Sequence, residues 1–186
     1  MPVRITLLCH GRSTARPSAF AADEPLAEGE AERIAALAST LTGIAQVLSS
    51  PAKVARQTAD ALSPASTIDV ALADLDLGRW SGRSLSDVDA SEPEALATWM
   101  VDAGFAGHGG ESRSALVQRV SSWLDQDRPA DSHIFAVTHP VVIQAAMLSI
   151  LGAPASAFRN IDVPPLQALD IRSDGRRWAI RSFGRL

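Results

Sequence analysis

Two short apolar runs that each end on a histidine limit what this chain can fold into. Val3-Arg4-Ile5-Thr6-Leu7-Leu8 leads through Cys9 into His10-Gly11, and His133-Ile134-Phe135-Ala136-Val137-Thr138 leads into His139-Pro140. Periodicity alone does not separate a buried strand from a buried helix over so few residues. The glycine or proline that cuts each run short favours strands. Pro140 lacks a backbone donor but suits the first turn of a helix, and Val141 to Leu148 reads as a buried helix. In open α/β sheets, ligands bind in the crevice beyond the carboxyl ends of the strands. Two strand-end histidines far apart in sequence can therefore meet at one crevice. One could act as a nucleophile and the other could stabilise charge on a phosphoryl group. Gly11 would let backbone N–H groups approach an anion. The competing reading of His10 is a hydrogen-bonded histidine that merely ends a strand.

The remainder alternates in the same way. Leu26 to Leu41 predicts a helix, with Ile34, Leu37, Ala38 and Leu41 on one apolar face and Gly43 as its stop. Ile44 to Leu48 predicts the second strand. Ser50 as N-cap and Pro51 at the first position open a helix to about Leu62, ahead of Pro64. Thr67 to Val70 predicts a third strand, followed by a shaped loop over Leu72 to Gly82. Pro93 to Ala103 and Arg113 to Asp127 read as helices, and Pro154 to Asn160 as one further helical turn. Leu166 to Arg172 and Arg177 to Arg181 read as closing strands around Ser173-Asp174-Gly175. The pattern predicts one domain over residues 1–186, a three-layer α/β/α sandwich with a mostly parallel central sheet.

Composition narrows the function classes. With 46% hydrophobic and 20% charged residues the chain reads as globular and soluble. A net charge of −4, with basic residues scattered apart from Arg176-Arg177, argues against a nucleic-acid partner. No run approaches the ~18 apolar residues of a membrane span, and the first residues are too short an apolar run for a signal peptide. One cysteine allows no internal disulfide and no zinc cluster, which fits a reducing, cytoplasmic setting. No cofactor or metal is expected. Oligomeric state is left open, a homodimer included.

Five pieces in order carry a resemblance. They are Cys9-His10-Gly11; Ser49-Ser50-Pro51 with Gln57-Thr58-Ala59; Asp74 followed by Gly78-Arg79-Trp80-Ser81-Gly82; Gly110-Glu111-Ser112; and Val137-Thr138-His139. Over Val3 to Gly152 the chain resembles the histidine phosphatase superfamily, in its phosphoglycerate mutase-like branch. The resemblance implies that His10 attacks phosphorus and becomes phosphorylated, with Gly11 holding its ring. It implies that His139 stabilises the transferring group beside Thr138, and that Asp74 protonates the leaving oxygen. The family usually carries glutamate there, so aspartate has the chemistry with a shorter reach. The substrate class implied is a small phosphorylated molecule. Phosphoryl transfer is mostly positioning and neutralisation of oxygen charge.

Two positions depart from that pattern. Cys9 stands where the family has the arginine of Arg-His-Gly, and Val54 stands where it has the arginine preceding Gln-Thr-Ala. Neither offers a charged planar fork. Arg16 is the expected substitute, with Arg12 or Arg56 assisting; each is otherwise a solvated surface arginine. Glu111 is expected to cap the following helix or to serve as an alternative proton donor, and His108 to line the pocket rim. Trp80, Trp99 and His133 read as structural. Asp76 could accept an arginine or form a solvated pair with Arg79. Cys9 reads as a small core hydrophobe rather than a thiolate nucleophile. No serine-hydrolase elbow or nucleotide phosphate loop is present. The reading is metal-independent phosphomonoester hydrolysis through His10. The alternatives are a phosphate-ligand-binding relative without turnover and, behind it, a phosphoryl mutase.

Overall fold

The computed structural model describes residues 3–16, 18–63 and 65–185; Pro17 and Pro64 lie outside them. Six strands form one sheet in the order β3-β2-β4-β1-β5-β6. They are β1 (Val3–Cys9), β2 (Gln46–Ser49), β3 (Ser66–Ile68), β4 (His133–Thr138), β5 (Gln167–Ser173) and β6 (Trp178–Arg185). β1, β4, β2 and β3 pair in parallel, while β5 runs antiparallel to both β1 and β6. The sheet is thus mostly parallel, as the alternation predicts. Because β1 and β4 pair in register from Arg4–His133 to Cys9–Thr138, their carboxyl ends lie side by side. That places His10 and His139 at one sheet edge.

Successive residues of β1 face opposite sides. Ile5, Leu7 and Cys9 enter one hydrophobic cluster with α5 (Arg113–Leu124) and α6 (Pro140–Leu151). Leu8 enters the other, with α1 (Glu30–Ala35) and α2 (Lys53–Leu62). All seven β1 residues but the first two are buried, which is why the run reads as continuously apolar. Over the described residues no helix is long and apolar enough to cross a membrane.

Several boundaries differ from the sequence reading. The apolar face of the first predicted helix is real, since Ile34 is buried and Leu37 and Leu41 pack on the second cluster. The helix itself covers only Glu30–Ala35. Leu37 N–H already bonds to Ile34 O in the tighter spacing, and a 3₁₀ turn follows at Ala38–Thr40. The second strand is Gln46–Ser49, the third only Ser66–Ile68, the fifth is shifted by one residue, and only the last is longer than predicted. The helix carrying Trp99, α4 (Pro93–Val101), ends at Val101, and α5 ends at Leu124 rather than Asp127. A helix the periodicity does not reveal, α3 (Leu85–Ser91), is set by a capping box between Ser84 and Asp87. Ser50 does not cap α2: the helix begins only at Lys53 and the cap position is Ala52, with no side-chain bond, while the Ser50 hydroxyl accepts the Ala52 N–H (3.3 Å) and meets His139. The arginines are also less scattered than they read. Arg172, Arg177 and Arg181 line one groove on the uncovered face of β5 and β6.

Candidate active site

His10 leaves β1 with its backbone N–H on Thr138 O (2.9 Å), so the two histidine-tipped strands are tied where they end. Its Nδ1 lies 2.7 Å from Gly11 O. A carbonyl can only accept, so Nδ1 carries the hydrogen and Nε2 keeps the lone pair that a nucleophile needs. The ring stands edge-on to His139, centroids 5.0 Å apart. Burial, and then the neighbouring His139, hold the His10 pKa below the ordinary histidine value, which keeps the imidazole unprotonated.

The Gly11 carbonyl holds the His10 ring, as the resemblance implies, but the Gly11 N–H is not open to an anion. Its N–H is already spent on Thr58 Oγ1 (3.0 Å), and Thr58 in turn donates to Val54 O (2.7 Å). It is therefore not an anion donor. A Cβ there would meet the terminal methyl carbons of Ile34 and Leu26 at 2.8 Å, so any larger residue would require those two side chains to move aside.

His139 is 2% exposed. Its Nε2 lies 2.8 Å from Ser50 Oγ and its Nδ1 3.3 Å from Asp74 Oδ2. Burial first, then the field of Arg119, push its pKa down to about 4. Asp74 sits on the segment between the 3₁₀ turns Val70–Leu72 and Gly78–Trp80. Burial pushes its carboxyl up to about 6 despite the Leu75 N–H that Oδ1 accepts at 2.8 Å. His10, His139 and Asp74 are therefore one constellation: an unprotonated imidazole, a neutral imidazole and a carboxyl that carries a proton in mildly acid solution. Thr138, buried just before His139, turns its hydroxyl to Leu72 O (2.7 Å) and so positions the acid segment.

The cavity beside His139 is lined by Asp23, Ala52, Asp74, Asp76 and Ser81 among others; none of its lining residues is lysine or arginine. Cys9 and Val54 are both buried. Arg12 turns away to the buried Glu30 (3.0 Å). Arg16 is exposed and reaches the Gly82 carbonyl (3.4 Å), and Arg56 is exposed on α2. Asp23, which nothing in the sequence singled out, accepts the Lys53 N–H at the start of α2 (2.7 Å).

The other candidates separate from the site. Glu111 is not the cap of α5, because Ser112 Oγ accepts the Ala115 N–H in that role. The Glu111 carboxylate is instead gripped by both arms of Arg119 (2.9 and 2.7 Å). His108 is not on the rim: it is 1% exposed, packed against Trp80 and Phe105. Asp76 does not meet Arg79, which pairs with Glu92; Asp76 Oδ1 accepts Gly78 N–H instead. The Asp76 and His108 strands of chain are pressed backbone to backbone. A Cβ at Gly110 would meet Asp76 O at 2.1 Å, and one at Gly78 would meet His108 O at 2.5 Å. Trp80, fully buried, stacks on Phe20 and Phe105, and His133 bonds Thr6 Oγ1 (2.9 Å), both structural as expected. Cys9 is a core residue, its thiol pushed up to about 12 by burial.

A glucosyl-3-phosphoglycerate phosphatase of Mycolicibacterium vanbaalenii is 34% identical over 125 residues, covering 58% of this chain and 54% of that protein. The chain spans about half the length of the curated relatives it matches. Among solved structures, a putative alpha-ribazole-5'-P phosphatase from Escherichia coli superposes with a TM-score of 0.87 at 23% identity, covering 98% of this chain and 96% of that one. A mycobacterial glucosyl-3-phosphoglycerate phosphatase in complex with inorganic phosphate does so at 0.79 and 23%, covering 97% and 96%. These two likenesses establish the fold. The model of the histidine phosphatase superfamily (branch 1) matches residues 5–185, and the chain belongs to that superfamily.

Proposed function

We propose that this chain hydrolyses small phosphomonoesters through a phosphohistidine formed on His10, without a metal. The observation that carries the reading is the His10 ring itself: Nδ1 is fixed on Gly11 O, and the ring centroid lies 5.0 Å from that of His139, whose Nδ1 meets Asp74. His10 Nε2 attacks phosphorus while the bond to the leaving oxygen breaks, and Asp74 gives its proton to that oxygen. Asp74, now a carboxylate, takes a proton from a water that attacks the phosphohistidine. Phosphate leaves and His10 is regenerated. His139, its ring fixed by Ser50, lies beside the transferring group. The phosphate named with a mycobacterial relative supports the ligand class. Arg16, with Arg12 or Arg56, remains the proposed source of positive charge once substrate is bound. We place the activity in the cytoplasm, where a lone buried thiol is at home.

One observation favours a second reading. A cavity lined by three aspartates and by no lysine or arginine suits a relative that has lost turnover. Phosphate release from a phosphomonoester panel in EDTA, wild type against His10→Ala, separates the two. Turnover that disappears in H10A, with acid-labile, base-stable phosphate trapped on the wild type, is the expected result. No release by either protein rejects the enzyme.

A further inference from the structure

Asp74 sits on a segment with no regular secondary structure, yet nearly every carbonyl along it is claimed. Arg119, one turn and a half into α5, donates through Nη1 to Ala71 O (2.8 Å) and Ala73 O (3.1 Å), and through Nη2 to Asp74 O (3.3 Å). Its Nε and remaining Nη2 hydrogen go to the two oxygens of Glu111 (2.9 and 2.7 Å). All five guanidinium hydrogens are used, which is the full capacity of the group. Leu72 O is taken by Thr138 Oγ1, and Asp76 O by the Glu111 N–H (2.7 Å).

We infer that Arg119, anchored by Glu111, is a positioning residue that sets the place and the proton of Asp74. The inference rests on the reading of Asp74 as the proton donor. Only a planar fork can reach three carbonyls of one loop and a carboxylate at once; a lysine ammonium supplies charge at a single point. The guanidinium touches no atom of the cavity lining except the Asp74 backbone. Its influence on chemistry passes through Asp74, and its charge also lowers the pKa of both Asp74 and His139. The other charged groups facing Asp74 are His10, His139, Glu24 and, across the cavity, Asp23 and Asp76.

A general acid misplaced by about 1 Å can lose ~10²-fold in rate. Arg119→Lys, which keeps the charge and loses the fork, should therefore lower kcat on an alkyl phosphate by ~10- to 100-fold. KM should change little, because no substrate contact is removed. Against an Asp74→Asn background the same substitution should have no further effect on kcat. The Glu111→Gln variant, which frees the fork at one end, should fall between wild type and R119K. Carboxyl and imidazole titrations by NMR are followed in parallel, with R119K and the double variant R119M/E111Q each expected to move the Asp74 titration. Equal kcat losses with and without Asp74, or an Asp74 titration that stays at its wild-type position in both variants, overturn the inference. A stable wild type that turns over nothing overturns the phosphatase reading instead; the NMR titration still decides whether Arg119 governs Asp74.

Discussion

Replacing Asp74 by asparagine puts the proposed chemistry to its most quantitative test. A carboxyl titrating at about 6 is protonated in about one molecule in ten at pH 7, whereas one at 3.8 would be so in roughly one in 1,600. Burial thus supplies ~150-fold more proton donor at neutral pH than an ordinary aspartate would. Lowering the pH from 7 to 5.5 should raise the protonated fraction, and with it kcat/KM, by about 8-fold, as long as His10 stays unprotonated. Burial and His139 hold its pKa below the usual histidine range, in the required direction. Phosphomonoesters themselves take up a proton near pH 6, so the test is the difference between wild-type and D74N profiles. D74N should lose ~10²–10⁴-fold on an alkyl phosphate, whose leaving group needs a proton. It should lose far less on 4-nitrophenyl phosphate, whose leaving group departs as a stable anion. The assay is kcat/KM against pH for both esters and both proteins. Profiles that superimpose after scaling, or equal losses on the two esters, would refute Asp74 as the acid.

Three other outcomes follow from buried contacts. Thr138→Val strands the Leu72 carbonyl that the hydroxyl now satisfies at 2.7 Å, and urea denaturation should show a loss of ~1–3 kcal/mol. Burial would raise the Glu30 carboxyl, but the Arg12 N–H and guanidinium, with Arg33, more than offset it and hold the pKa down. A depressed carboxyl stabilises the fold above its unfolded pKa and stops doing so as pH falls through the folded value. The thermal midpoint should therefore drop below about pH 4.5 in the wild type and vary less in Glu30→Gln. Cys9, with its thiol pushed up to about 12, should resist a thiol reagent at pH 8 in the native protein and react once unfolded; rapid native labelling would revive a nucleophilic Cys9.

Much of this molecule is legible in its sequence because its signals are local. Each histidine directly follows the strand that carries it, and the β1 and β4 runs are buried on both faces, so their composition speaks for them. The pairing of the two ends needs only a parallel sheet. What escapes is whatever depends on a partner distant in sequence. Ser50-Pro51 has the look of a helix start, but the hydroxyl is diverted to His139, 89 residues away. Glu111 sits where a cap belongs, yet its partner is Arg119 and the adjacent Ser112 does the capping. Gly11 reads as an anion donor until Thr58 is seen to occupy its N–H. Asp23 carries no motif at all and enters the cavity only because its loop folds back onto the start of α2. Helix α1 keeps its predicted face and loses most of its length, since a 3₁₀ turn can bury Leu37 and Leu41 as well as an α-turn can.

The contact of Gly78 with the His108 carbonyl, and of Gly110 with that of Asp76, ties two segments about thirty positions apart into one inheritable unit. A side chain added on either side would displace the other backbone, so neither segment is free to diverge alone. Variation that reshapes the cavity is then channelled to the opposite wall, where Ala21, Ala22 and Asp23 are exposed. On the proposed phosphatase reading, insertions and exchanges there would alter which alcohol portion fits while leaving Asp74 where it is. A designer seeking a new substrate for this scaffold would randomise residues 21–24 and leave 74–78 and 108–111 untouched.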